Sequence, residues 1–253
     1  MSRKNLWRNL QRWRGVILIT VAVVATVWLA FGNQLVLYIH PRYIVFTVVM
    51  AVVALGLAVT SVVVRVPDED EGDDSVVSRA FSVAAIVVSG AFVIAMIALP
   101  PATLTSATAS QRDITSSSIG TESQSLQEAS DAPIGSFATF TVVDWASLLR
   151  QSSDLDFYAG KPVDVVGFIT ADPDDPQNVF YVSRFVVTCC AVDAQPAGIP
   201  VYMPNWPDTY ALDEWVRATG EFTTNPSARS TQAIALDPES VERVEQPSEP
   251  YLY

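Results

Sequence analysis

Lys161-Pro-Val-Asp-Val-Val-Gly-Phe-Ile169 follows a glycine and alternates apolar with polar side chains into an apolar end, the period-two signature of a strand with one face in a core. The reading extends outward on both sides. Val179 to Thr188, Ile199 to Met203, Trp215 to Thr224 and Gln232 to Leu236 repeat the pattern, and Asp172-Pro-Asp-Asp-Pro176 supplies turn chemistry between the first two. Upstream, Asp144 is placed to cap a short helix running to about Leu149, with Trp145, Leu148 and Leu149 on its apolar face. About five short strands within roughly 80 residues point to a small barrel.

A strand that opens Gly-Lys and runs Val-x-Val-x-Gly-Phe resembles the first strand of an OB-fold, where Gly167 lets a small closed sheet coil sharply. The expected fold of residues 136–253 is therefore a small all-β, OB-fold-like barrel domain with a short preceding helix. OB-folds often bind oligonucleotides, but from Pro133 onward 17 Asp plus Glu stand against 6 Lys plus Arg. Such a surface repels phosphate, so nucleic acid is excluded as a partner.

The N-terminal part has the opposite charge and a different periodicity. Arg3, Lys4, Arg8, Arg12 and Arg14 precede an apolar run, Gly15 to Ile39, interrupted only by Asn33 and Gln34. At 1.5 Å per residue such a run crosses a hydrocarbon layer of about 30 Å. Tyr43 to Val64 is a second apolar run, and a third, 76–99, ends at Pro100-Pro101, where a helix cannot propagate. These stretches, about 15–39, 43–64 and 76–99, predict three transmembrane helices in a region spanning 15–99. Basic residues are retained in the cytoplasm, and they flank the first span and the loop holding Arg65 and Arg79. The N-terminus is thus expected inside and, after an odd number of crossings, the C-terminal domain outside.

Residues 1–14 form a basic cytoplasmic or interfacial segment in which Leu6, Leu10 and Trp13 share a helical face. The acidic run Asp68 to Asp74 lacks the ligand spacing of a calcium loop and reads as a solvated connector. Residues 100–135 are rich in Ser, Thr, Ala and Gln without apolar periodicity, the composition of a flexible extracytoplasmic linker with a reach of roughly 30–35 Å.

Chemistry concentrates at Cys189 and Cys190, the chain's two cysteines. Neighbours on a regular strand point to opposite faces, so the pair shares a ligand only where the backbone bends. Three readings stand: buried small hydrophobes, a strained vicinal disulfide, or a thiolate metal site helped by Asp193. A closed zinc site needs four ligands, and the chain offers two thiols and one histidine, His40, in Tyr38-Ile-His-Pro-Arg-Tyr43. A hydrolytic triad has no support, because that histidine lies in a different segment, and a glycine-rich phosphate loop is absent from the sequence. The chain is read as not an enzyme, with no resident cofactor beyond a thiophilic metal ion at the cysteines.

Tyr38-Ile-His-Pro-Arg42 after the first run, Gly160-Lys161 opening a strand, Arg184-Phe185 before Cys189-Cys190-Ala-Val-Asp193-Ala194, and Trp215-Val216 leading to Gly220 resemble the YcgQ-like family of bacterial two-component permease subunits. The resemblance implies a non-enzymatic accessory role beside a larger multi-span permease in the lipid bilayer of the bacterial plasma membrane, with the exterior domain capturing or gating a solute. It implies weight on Cys189, Cys190, Asp193 and His40, with Arg42 in the same turn and Arg184 as a support. The contrasting expectation is an extracytoplasmic redox or metal sensor built on the vicinal pair.

Overall fold

A computed structural model describes residues 18–63, 88, 91, 103–112 and 125–253. The chain divides into two compact units, 1–102 and 103–253. The basic segment 1–14, the acidic run 68–74 and, apart from residues 88 and 91, the third apolar stretch 76–99 lie outside the described residues.

In the first unit, helix α1 covers Leu18–Phe31. It stops there because Asn33 takes a left-handed φ of 53° and the N–H groups of Asn33 and Gln34 turn back to the carbonyls of Ala30 and Leu29, a Schellman-type cap. A 3-10 turn, Leu35–Leu37, follows. His40 then caps a second 3-10 turn, Pro41–Tyr43, which runs directly into α2, Ile44–Val63. Pro41 sits at the first position of that turn, where its missing N–H costs nothing.

The expectation of three transmembrane helices is overturned. Among the described residues one helix, Pro41–Thr60, has the length and composition to cross a membrane, while Leu18–Phe31 is a shorter apolar helix. The physical reason lies at Gly32-Asn33: apolar residues continue beyond the pair, but the backbone turns there. The fourteen helical residues described, Leu18–Phe31, reach about 21 Å, less than the roughly 30 Å of a hydrocarbon core.

The second unit is built on six strands: β1 Val163–Ala171, β2 Val179–Val186, β3 Gln195–Tyr202, β4 Trp215–Thr224, β5 Ile234–Arg243 and β6 Tyr251–Leu252. They lie in the order β1-β4-β5-β3-β2-β6, with a further ladder between β1 and β2. β3 pairs with β5 and β2 with β6 in parallel, and the other ladders are antiparallel. β1 leans on β4 with its first half and on β2 with its second, changing neighbours at Phe168. Gly167 stands beside that change, where a Cβ would lie 2.5 Å from the Ser183 carbonyl oxygen, so the close passage of β1 over β2 requires a residue without a side chain.

Short helices precede the sheet: α3 Ser106–Ala109, α4 Leu126–Asp131, α5 Val142–Gln151 and α6 Leu155–Tyr158. The unit is therefore a mixed six-stranded sheet behind a small helical region: the β1–β2 ladder closes β1-β4-β5-β3-β2 into a ring, and the four short helices correct the expectation of an all-β domain with a single short preceding helix. Two capping boxes explain the extra helix content. Ser125 and Glu128 start α4, and Thr141 and Asp144 start α5, each hydroxyl accepting the N–H three residues on while the acid returns to the cap. Asp144 thus stands inside the helix it was expected to open.

The interior is aromatic. Trp145, fully buried on α5, packs against Phe137, Phe140 and Phe222 with ring centroids 5.6, 5.3 and 5.3 Å away, and Tyr158 completes the group at 5.4 Å from Phe222. Parts of the stretch 100–135 belong to this unit too. The Tyr251 hydroxyl oxygen accepts the Leu104 N–H just before α3 at 3.0 Å, and Asp213 accepts from the Ser106 N–H and hydroxyl.

The β1–β2 turn is held by buried carboxylates. Asp172 accepts the N–H groups of Asp174 and Asp175 and the Ser230 hydroxyl, and Asp175 accepts from Ser227 at 2.6 Å and from Asn178. The Ser227 hydrogen bond, ahead of those from Asn178, holds the Asp175 carboxyl below its ordinary value. A carboxyl depressed in the folded state stabilises the fold above its unfolded pKa, about 4, and loses that contribution as the pH falls toward the depressed value. The expected result is that Asp175→Asn flattens the acid limb of the thermal midpoint against pH below about pH 4. An unchanged acid limb would show that the clasp between the β1–β2 and β4–β5 turns carries no proton-linked stability.

Candidate thiol turn

The cysteines lie in the connection between β2 and β3. All eight residues of β2 are buried, and β2 is bonded to β1, β3 and β6, so the turn leaving it rises from a rigid base. Val187 extends that base by donating its N–H to the Leu252 carbonyl at 2.9 Å. The chain then leaves the sheet, and Asp193 folds it back.

The Asp193 carboxylate organises the turn. Its Oδ2 accepts the N–H groups of Cys189 at 2.8 Å and Cys190 at 3.2 Å, its Oδ1 accepts that of Thr188 at 3.2 Å, and its own N–H returns to the Cys190 carbonyl at 3.0 Å. Three successive N–H groups converging on one carboxylate form a concave backbone nest. From the end of α3, Arg112 donates to the Val192 carbonyl at 3.0 Å and steadies the tip.

This bend brings the cysteines together where a strand would separate them. The Sγ atoms of Cys189 and Cys190 and a carboxylate oxygen of Asp193 all lie within 4.8 Å of one another. Both thiols are free, Cys189 exposed and Cys190 half-buried, so neither behaves as a small core hydrophobe. Desolvation, then the neighbouring Cys190 and the Asp193 charge, push the Cys189 thiol above its ordinary value.

Arg184 sits on β2 but turns to other partners. Its guanidinium donates to the carbonyls of Val166 and Glu249, at 3.3 and 2.8 Å, and stacks 5.2 Å from the Trp215 ring. It supports the turn at one remove, by fixing the chain that leads into β6. His40 and Arg42 belong to the first unit, where His40 Nδ1 accepts the Arg42 N–H at 3.1 Å and the Arg42 guanidinium lies 5.9 Å from the Tyr43 ring. The His-Pro-Arg sequence is thus a helix start, with the imidazole in the position usually taken by Ser or Asp.

Arg112 was not found from the sequence, because it lies in a Ser/Thr-rich stretch without periodicity. The capping role of Asp193 had a signal, an acid closing a short turn. Two open depressions, of about 260 and 210 Å³, are lined mainly by β1, β4 and the segment before α5, and neither includes a residue of the thiol turn.

Fold and site together define a two-part chain: an apolar helical unit, and a mixed-sheet domain presenting paired thiols on a capped hairpin turn. Residues 13–115 match the DUF1980 N-terminal domain and residues 138–253 the DUF1980 C-terminal domain, so the chain carries both domains of that family. No curated protein and no solved structure matches it.

Proposed function

We propose that this chain is a membrane-anchored, non-enzymatic accessory subunit of a two-component permease of the YcgQ-like kind, whose sheet domain handles a solute outside the membrane. The observation that carries the reading is the surface of α2. Val45, Phe46, Val49, Val52, Val53 and Leu57 are all exposed along one broad face of a helix that carries no charged residue from Ile44 to Val63, and 6% of its 18-residue apolar core is buried. A helix apolar on all sides needs lipid or partner helices to cover it. An odd number of crossings sends the sheet domain outward, because the basic residues concentrate before this helix. One such helix among the described residues makes no pathway, which is why the reading includes a larger multi-span partner.

The decisive experiment isolates the tagged full chain from membranes in mild detergent and identifies what accompanies it. A multi-span permease recovered in near-stoichiometric amount is expected; recovery of the chain without one overturns the reading. A membrane-impermeant maleimide is expected to label the exposed Cys189 in intact cells, and labelling only after lysis contradicts an exterior domain.

A second reading, an extracytoplasmic redox or metal sensor, draws on the same exposed free thiol pair. Serine at both positions separates the two. The sensor loses its response to oxidant or metal while transport persists, whereas a solute-handling domain loses transport.

A further inference from the structure

We infer that Cys189 and Cys190 form a two-thiolate site for a soft cation of the Cu(I) class, with Asp193 as the positioning residue that shapes the turn and not as a ligand. This names the class of solute for the permease-subunit reading above and rests on that reading only for the ion's onward movement.

The ligand count comes first. Among the described residues, the group Cys189, Cys190 and Asp193 is the cluster of three candidate ligands. The carboxylate in it is already engaged: Oδ2 accepts two N–H groups and Oδ1 a third. Turning it toward a metal would strand the N–H groups of Thr188, Cys189 and Cys190 and undo the bend that gathers the thiols. Two sulfurs therefore remain. A structural zinc ion requires four ligands, whereas thiolate sulfur selects Cu(I), an ion satisfied by low coordination.

Geometry agrees with that count. Two metal–sulfur bonds of about 2.3 Å span at most about 4.6 Å. The two Sγ atoms lie within 4.8 Å of each other without any rearrangement of the backbone. Because both cysteine N–H groups point to one carboxylate oxygen, their peptide planes do not alternate as in a strand, and the side chains are not driven to opposite faces. The exposure of Cys189 leaves the site open on one side, the arrangement of a site that passes an ion on. Binding balances as one Cu(I) and two thiols giving a dithiolate complex and two protons released to solvent.

The test uses the full chain in mild detergent, kept reduced with ascorbate and titrated with Cu(I) against the chromophoric chelator bathocuproine disulfonate, and in parallel with Zn(II). The expected result is one Cu(I) per chain, with an ultraviolet thiolate-to-copper absorption, and affinity falling roughly 100-fold or more in Cys189→Ser and in Cys190→Ser. Asp193→Asn, which keeps an acceptor for the turn but not the charge, is expected within about threefold of the parent, while Asp193→Ala weakens binding roughly 10-fold or more. Amide exchange of β2 and β3 in each variant shows whether the hairpin has stayed folded. Equal losses in the asparagine and alanine variants would make Asp193 a ligand and overturn the inference, as would tighter binding of Zn(II) than of Cu(I), or no Cu(I) binding. None of those outcomes bears on whether a multi-span partner co-purifies, so this inference can fail while the subunit reading stands.

Discussion

Trp145→Ala is expected to destabilise the sheet domain by about 3–5 kcal/mol, the range for removing a large buried aromatic. The indole is fully buried and stacks or tilts against Phe137, Phe140 and Phe222, joining the helical region to β4 at one point. Its loss opens a cavity that three aromatic rings, two on the segment before α5 and one on β4, cannot collapse to fill. The indole N–H has no hydrogen-bond acceptor among the described residues. Trp145→Phe therefore forfeits area but no hydrogen bond, and its cost is expected to be about 1–2 kcal/mol. Amide exchange across β3, β4 and β5 of the full chain reads both variants. A phenylalanine variant as costly as the alanine one would mean that the indole N–H makes a hydrogen bond.

Gly220→Ala is expected to cost about 2–3 kcal/mol for a different reason, overpacking against backbone. The β4–β5 register shifts between Thr219 and Gly220, placing Gly220 opposite Pro238. A Cβ there would stand 2.2 Å from the Asp237 carbonyl oxygen and 3.0 Å from the Pro238 Cα. Both neighbours are main chain and cannot rotate away, so the bulge itself must open. Gly135→Ala is the control: a Cβ at that position meets nothing within 4 Å, and the expected change is within about 0.5 kcal/mol. Comparable destabilisation by the two substitutions would mean that the bulge is not the origin of the Gly220 effect.

The strands differ in how openly their residues announce them. β4 runs Trp215–Thr224 as its alternation indicates, because one face of it is buried and the other wet. β5 continues from Ile234 to Arg243, well past the apolar end at Leu236, since Asp237-Pro-Glu carries no strand signal and is held by pairing to β4 across the bulge. β6 has two residues and exists only because β2 offers an edge beside it. Apolar composition misled at Gly32-Asn33, where hydropathy continues but the backbone turns. At the thiol turn the three residue types were legible and their convergence was not, because it depends on where Asp193 sends its oxygens.

By itself, the sequence determined the acidic, strand-rich C-terminal domain and the apolar run 43–64, since local periodicity and net charge need no partner to be read. Only the tertiary structure decided that the sheet is mixed and six-stranded, that helices cover it, and that Cys189 and Cys190 share one side of a turn. Those outcomes rest on pairings between residues distant in the chain and on three N–H groups meeting a single carboxylate, and neither is encoded in the spacing of side chains along a strand.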